Sequence, residues 1–507
     1  MKKLITPFLT VILISGFFLK GGFVFGQQTG NVSKETLVFE EFNYPLGQIP
    51  PGWVLDAEQA PPWSVNNSMM AGGQAPELYL GYSMAAGLSR LISAPVDVTG
   101  YTGLHLKYKQ YLINYEMDFG EVIGLDVTFD DGESWNVIWE RPLGTINIPQ
   151  GEYEYYIEVP EGATEMKYAF RYDGNNYAIN LWLIDDILIE QASNNDLVCA
   201  AVTGNTTPVK GKESVYYVEV VNGGLTTQSD YTVKLMMEGD VELASVPGTT
   251  IDFNQKIVFE IPWTPNIEAG VSKIYGLVEY AQDEIVENNQ SDELQLVVQT
   301  EHTASVAIGD GNVTLSFLPF NFFNKYSATQ TLYYQEEIGN SNIPLKGLAY
   351  TYQFDQDVDD VQLKVLIGET TVQNLENEWV SPEGFSFVYD GFYDFKKGTG
   401  TMFIPFDEPY LYQGDNLVVY IVKSYTSQVI GTVVYNTYVE DVWRSRMAER
   451  DDEPWDPMVL PEFGYTSYCY PNIKILYEWD DTSIENQIVD NNSVLLYPNP
   501  AKDLLHI

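Results

Sequence analysis

Apolar and polar side chains alternate along much of this chain, and turn residues interrupt the alternation roughly every ten positions. In the segment 151–160, Tyr, Tyr, Ile and Val occupy the odd-numbered positions from 153 onward, whereas Glu occupies most even-numbered positions. A period of two residues is that of a β-strand with one buried face. Long patterns of helical period are nearly absent, so we predict an all-β protein built of tandem β-sandwiches.

The domain organisation follows from length and composition. A chain of 507 residues is too long for a single hydrophobic core. We predict three strand-rich blocks at 36–191, 195–299 and 301–479, then a polar linker at 480–492. The final segment, 493–507, turns apolar and stops in mid-pattern, which is expected of a fragment.

The first 26 residues have the layout of a cleaved secretory signal. Lys2 and Lys3 precede the apolar run 5–19, and the residues before Gln27 suit cleavage. No Cys stands directly after the expected cut, and no later stretch is long and apolar enough to span a bilayer. We therefore expect an exported protein without a transmembrane segment, located outside the cell or on its surface.

The formal net charge of −45 limits the partners. A polyanion repels nucleic acid and anionic lipid headgroups, so neither is an expected partner. Clustered carboxylates can bind calcium, although a solvated acidic surface that keeps the protein soluble accounts for most of these residues.

Few residues are available for catalysis or for disulfides. Cys199 and Cys469 are the only cysteines, and two separate buried thiols are expected, with one long-range disulfide as the alternative. His105 lies in a strand pattern and His302 beside a block boundary. HExxH, GxSxG and phosphate-loop motifs are absent from the sequence, so we predict no enzyme activity. Because the sequence has 71 acidic residues, a catalytic carboxylate pair of the glycosidase type stays an alternative hypothesis.

The first block resembles the cleaved-adhesin and MAM-like jelly-roll domains of Bacteroidetes surface proteins. The resemblance covers the whole block and is carried by these segments: Phe39–Asn43, Ile49–Trp53, Gly72–Glu77, Leu91–Ser93, Pro95–Tyr101, Thr128–Trp135 and Ile184–Ile187. It implies a jelly-roll sandwich with structural calcium and a role in adhesion or ligand binding.

Within this block, Thr128–Trp135 has the form of an Asp-box. In such a turn the Asp130 carboxylate accepts backbone N–H bonds, Gly132 supplies the permissive torsion, and Trp135 packs underneath. We interpret these residues as a structural turn rather than a catalytic site.

A calcium site is the sharpest hypothesis for the first block. Asp185 and Asp186 interrupt an apolar strand, and the one that is buried needs a cation or several donors. Glu41 and Asn43 lie at the opening strand, which pairs with the last strand in many jelly rolls. We therefore assign Glu41, Asn43, Asp185 and Asp186 to a calcium site. A carboxylate that accepts bonds from backbone amides is the alternative.

The second and third blocks also resemble known domains. The second is similar to Ig-like CARDB modules, in the segments Asp196–Val198, Val218–Gly223 and Ile285–Asn289. The third resembles a recurring Bacteroidetes domain, which implies a second jelly-roll-like sandwich, in the segments Leu318–Phe320, Tyr333–Gly339, Leu366–Thr370, Pro405–Asn416 and Pro471–Ile475. Its acidic loop 449–456 carries Trp455 and is interpreted as an ordinary exposed loop, with a cation or sugar site as the alternative.

The tail resembles the opening of a C-terminal sorting domain of the type IX secretion system. Tyr497, Pro498, Asn499 and Pro500 precede an alternating strand pattern, as at the start of that family's domain. The resemblance implies export through the type IX translocon, as a released or surface-anchored protein.

These features together predict a non-catalytic, adhesin-like binding protein. The expected ligand is a host or matrix protein or a glycan. The alternative is a carbohydrate-binding accessory protein with an aromatic groove on the first jelly roll, and a glycosidase or peptidase-associated enzyme is the remaining hypothesis.

Overall fold

The computed structural model describes residues 35–115, 119–144 and 147–479. All of them fall within one compact unit. The predicted signal, the linker 480–492 and the sorting residues Tyr497, Pro498, Asn499 and Pro500 lie outside the described residues. In the described part of the chain, no helix has the length and apolar character needed to cross a membrane.

The first sandwich packs two antiparallel sheets face to face. Its strands are β1 Thr36–Glu40, β2 Val54–Ala57, β3 Trp63–Asn66, β4 Glu77–Gly81, β5 Ala86–Ile92, β6 Val96–Asp97, β7 Gly103–Asn114, β8 Val122–Thr128, β9 Asn136–Pro142, β10 Ile148–Glu158, β11 Glu165–Asn175 and β12 Ile179–Gln191, with a 3-10 turn at Asn176–Ala178. One sheet has the order β10-β7-β12-β4-β3 with β1 beside β12, and the other β2-β5-β11-β8-β9 with β6 beside β11. Trp182, Tyr108 and Phe170 are buried in the core between them.

The second sandwich is Ig-like, with a three-stranded and a four-stranded sheet. Its strands are β13 Leu197–Gly204, β14 Ser214–Asn222, β15 Thr232–Met237, β16 Val241–Pro247, β17 Lys256–Trp263, β18 Gly270–Glu279 and β19 Leu294–Val298, with a 3-10 turn at Val286–Asn288. The sheet orders are β13-β14-β17 and β16-β15-β18-β19.

The third sandwich is the largest. Its elements are β20 Thr303–Ile308, β21 Val313–Leu315, β22 Tyr326–Tyr333, α1 Gln335–Ile338, β23 Ile343–Phe354, β24 Val358–Thr370, β25 Ser386–Phe395, β26 Gly398–Tyr412, β27 Asn416–Ser424, β28 Thr432–Tyr438, β29 Ser445–Arg450, β30 Tyr465–Ser467, β31 Cys469–Pro471 and β32 Ile473–Glu478. One sheet runs β20-β32-β23-β28-β21, with β26 and β31 at its sides, and the other β25-β24-β27-β22-β29-β30. The prediction of an all-β chain of tandem sandwiches is confirmed.

The first and second sandwiches meet at Tyr156. Its hydroxyl donates to Asp196 Oδ2 at 3.2 Å, and its ring packs edge-on against Phe253. Gly223 permits this approach, because a Cβ there would overlap the Tyr156 ring. Alternation alone assigns position 156 to the polar face of β10, yet Tyr156 is buried because the second sandwich covers it.

The third sandwich contacts both of the others. Lys397 Nζ donates to the carbonyl of Gln150 in the first sandwich at 3.1 Å, and Lys474 Nζ donates to Thr207 Oγ1 in the second at 2.9 Å. The three sandwiches therefore touch one another directly, rather than being connected only through the chain.

The two cysteines lie in different sandwiches. Cys199 is on β13 and Cys469 on β31, and both are buried free thiols. The alternative of a long-range disulfide is not realised.

Candidate functional site

The structure separates the residues assigned to calcium into two pairs. Glu41 and Asn43 follow β1, are exposed, and bond to each other, Asn43 Nδ2 donating to Glu41 Oε2 at 3.4 Å. Asp185 and Asp186 lie on β12 at a bulge in its pairing with β7. Neither Glu41 nor Asn43 bonds to either aspartate, and within the described ranges no three His, Cys, Asp or Glu side chains form a metal-binding group.

Asp185 is fully buried, and neither of its carboxylate oxygens has a hydrogen-bond partner. The chain at Gly73 covers it so closely that a Cβ there would collide with Asp185 Oδ2. Burial raises the pKa of the Asp185 carboxyl to about 7, and the charges of Asp186 and Glu77 add to this effect. A buried carboxylate without donors is costly unless a proton or a cation neutralises it.

The neighbouring carboxylates are already satisfied. Lys109 Nζ lies 2.7 Å from Asp186 Oδ2 and donates to the carbonyl of Gly72 at 3.2 Å. This bond to Asp186 raises the pKa of Lys109. The buried Glu77 carboxylate accepts the backbone N–H groups of Met70 and Ala71, each at 3.0 Å. Of the four residues assigned from sequence, Asp185 is thus the one whose carboxylate oxygens are buried without a hydrogen-bond partner, and carboxylate oxygens are among the ligands that calcium takes.

The Asp-box forms a turn between β8 and β9. The Asp130 carboxylate accepts the N–H of Ser134 at 2.9 Å and the hydroxyl of Thr128 at 2.7 Å. Bonds from Ser134 and Thr128 lower the pKa of Asp130 to about 2. Gly132 has a φ of 93°, and Trp135 lies beneath it. Each group is engaged in holding the turn.

His105 does not form part of a nucleophile site. It is buried, its Nε2 lies 3.0 Å from Glu154 Oε2, and its ring stacks on Tyr156 at 4.6 Å. His302 is exposed at a tight turn with a φ of 64°. The two imidazoles lie in different sandwiches.

An exposed aromatic cluster on the first sandwich is a feature that sequence reasoning missed. We call Tyr79, Tyr82, Tyr115, Met84 and Asn180 the tyrosine cluster. Tyr82 is 51% exposed, Tyr115 43% and Met84 75%. The rings of Tyr82 and Tyr115 lie 5.9 Å apart at 83°, so they form a corner. Tyr115 donates to Asn180 Oδ1 at 3.2 Å, and Tyr82 donates to the Met84 sulfur at 3.6 Å.

Strand order assembles this cluster. β4 and β7 pair with β12 on its two sides, and Tyr82 and Tyr115 immediately follow those strands. The N–H of Tyr82 bonds to the carbonyl of Asn180, and that of Tyr115 to the carbonyl of Ala178. Gly81 leaves room for the Tyr79 ring, because a Cβ at this position would overlap it.

A second aromatic pair is carried by the neighbouring loops. Phe119 and Tyr177 pack edge-on with centroids 5.3 Å apart, and Phe119 is largely exposed.

The sequence signal available for the tyrosine cluster was an aromatic residue just beyond the end of each of two strands. This signal becomes informative only once the strand order is known.

Comparison with known proteins leaves the family open. No protein-family model matches the chain, and no curated protein matches it. A CARDB domain from Pyrococcus furiosus is 19% identical, covering 21% of this chain and 97% of that one with a TM-score of 0.19. The CBM22-1–GH10 modules of Clostridium thermocellum endo-1,4-beta-D-xylanase 10B, complexed with xylohexaose, are 14% identical, covering 34% and 32% with a TM-score of 0.22. The adhesin domain of Epf from Streptococcus pyogenes is 10% identical, covering 53% and 98% with a TM-score of 0.21. At these TM-scores the likenesses carry no argument about function.

Proposed function

We propose that this protein is a non-catalytic, adhesin-like binding protein whose ligand contacts the tyrosine cluster. The observation that carries the proposal is the pair Tyr82 and Tyr115, two rings that touch each other yet remain about half exposed. Contiguous exposed aromatic surface is typical of ligand and partner sites, because tyrosine combines a large apolar face with a polar tip.

The proposal includes a structural role for calcium in the first sandwich. Asp185 supplies two buried oxygens without donors, and Asp186 lies beside it. A bound calcium ion would neutralise these carboxylates and fix the adjoining chain at Gly73. The predicted ligands Glu41 and Asn43 are left out of this revised set, because they bond to each other instead.

We further propose export by the type IX secretion system, with its translocon as a partner, to the cell surface or exterior. This rests on the residues 1–26 and on the Tyr497–Pro500 motif. Substituting Pro498 and Pro500 by Ala in the protein as its native cell expresses it should leave the protein in the periplasm, as measured by cell fractionation. Unchanged export would contradict the assignment.

Binding is tested with the full-length chain on immobilised fibronectin, collagen, xylan and mannan, measured by biolayer interferometry. The double variant Y82A/Y115A removes both rings, and Y217A removes a similarly exposed tyrosine of the second sandwich. We expect wild type and Y217A to bind the same surface and the double variant to lose that binding. Equal binding by all three proteins would contradict the proposal, and release of soluble fragments from any of the surfaces would contradict the non-catalytic role.

A further inference from the structure

We infer that the tyrosine cluster takes an uncharged glycan, with one sugar ring seated in the corner between Tyr82 and Tyr115. This inference rests on the proposed function and names the ligand class for the same site.

The corner geometry suits a sugar ring. The two ring planes meet at 83°, so a pyranose that stacks its C–H face on one tyrosine meets the other tyrosine at its edge. The rings bury little of each other, because the two lie edge to face, and about half of each stays accessible. A flat protein interface has no need of such a corner, whereas a ring-shaped ligand fills it.

The polar groups around the corner are hydroxyl and amide groups. The Tyr82 hydroxyl donates only to the Met84 sulfur, a weak acceptor, so a sugar hydroxyl would be a better partner. Asn180 Oδ1 accepts a hydrogen bond from the Tyr115 hydroxyl. Beside them, Ser83 Oγ donates to Asn176 Oδ1 at 2.6 Å. These groups offer donors and acceptors in the mixture that sugar hydroxyls require.

Charge selects against acidic and basic ligands. The members of the tyrosine cluster are all uncharged, and burial and then Tyr115 raise the pKa of Tyr79. The chain as a whole carries −45, which repels acidic glycans over long distances. Protein-binding surfaces are enriched in Arg as well as in aromatic residues, and the cluster contains none.

The test is a glycan array that carries neutral, sialylated and uronic-acid glycans, probed with the full-length chain. Four proteins are compared: wild type, Y115A, Y82F and the control Y217A. Loss of one stacking ring should weaken binding of the neutral glycan about 3- to 10-fold in Y115A. Y82F keeps the ring and loses the hydroxyl, so it should lose less than Y115A. Y217A should match wild type.

The outcomes separate this inference from the proposed function. If wild type binds no neutral glycan, or only acidic ones, the glycan inference is overturned. If Y82A/Y115A nevertheless loses binding to fibronectin or collagen, the adhesin-like function stands with a protein ligand. If that variant binds every surface as wild type does, both proposals fail. Thermal unfolding of each variant separates lost binding from lost folding, since Tyr82 and Tyr115 lie outside the buried core.

Discussion

The contact between the first and third sandwiches contains a carboxyl group that should make stability depend on pH. Asp355 follows β23 and lies against Gly431, where a Cβ would overlap its Oδ2. Across the contact, Asn147 Nδ2 donates to Asp355 Oδ2 at 3.5 Å, and Tyr111 and Tyr153 feel its charge. Burial raises the pKa of Asp355 from 3.8 to about 6, although Asn147 and then the charge of Lys397 oppose this rise.

The direction of this pH dependence follows from the linkage between proton binding and folding. Because the folded protein holds the proton more tightly than the unfolded chain, the stabilising contribution is complete below pH 3.8 and is lost as the pH rises to about 6. A shift of one pKa unit corresponds to about 1.4 kcal/mol, so ionised Asp355 lowers the free energy of unfolding by at most about 3 kcal/mol above pH 6. Partial solvent access at the edge of the contact reduces this value.

The substitution Asp355→Asn removes the charge and keeps the shape. We expect the variant to exceed wild type in Tm by roughly 3–9 °C at pH 7.5, and the difference to vanish at pH 4. Differential scanning calorimetry from pH 4 to pH 8 measures both. Asp407→Asn, an exposed aspartate on β26, serves as the control and should follow wild type. A difference in Tm between D355N and wild type that stays constant across this range would show that ionisation of Asp355 does not affect stability.

Three further predictions concern the first and third sandwiches. Calcium at 100 times its Kd should stabilise the first sandwich by about 2.7 kcal/mol relative to the protein in EDTA. Asp185→Asn should abolish this stabilisation, and the exposed control Asp173→Asn should keep it. Unchanged melting of wild type with calcium would count against the site. Asp130→Ala should lower the urea midpoint of the first sandwich, because it removes the acceptor of the turn, whereas Glu133→Ala in the same turn should leave the midpoint nearly unchanged; equal losses would contradict the turn's role. Burial lowers the pKa of Lys423 from 10.5 to about 7, so between pH 7 and pH 9 the amine loses its proton in the folded protein but keeps it in the unfolded chain. Wild type should therefore gain stability against urea over this range, and Lys423→Met should lack that gain; an equal gain in the variant would argue against it.

The local pattern predicted the strands, because a sheet with one buried face imposes a period of two. Position 156 departs from the pattern, since the second sandwich adds a buried surface on the outer face of β10. Contacts between sandwiches depend on their docking, and alternation carries no information about it. Burial of one residue of the pair Asp185 and Asp186 followed from their apolar neighbours, and Asp185 is that residue.

The sites were harder to predict than the fold. Glu41 and Asn43 were joined to Asp185 and Asp186 because first and last strands pair, and β1 does pair with β12. Pairing fixes the backbone register, but the direction of each side chain depends on the turn after β1, where Asn43 bonds to Glu41. The Asp-box was readable because its contacts lie within eight residues of chain. The tyrosine cluster was not, because its members lie on or just beyond three strands that are distant in sequence.

Hydroxyl-radical footprinting of tyrosine side chains measures whether ligand contacts the tyrosine cluster. The full-length chain is labelled free and bound to the surface identified by biolayer interferometry, and oxidation is read by mass spectrometry at each exposed tyrosine. We expect protection of Tyr82 and Tyr115, with Tyr217, Tyr438 and Tyr465 unchanged. Protection of the latter three with Tyr82 and Tyr115 still oxidised would contradict it.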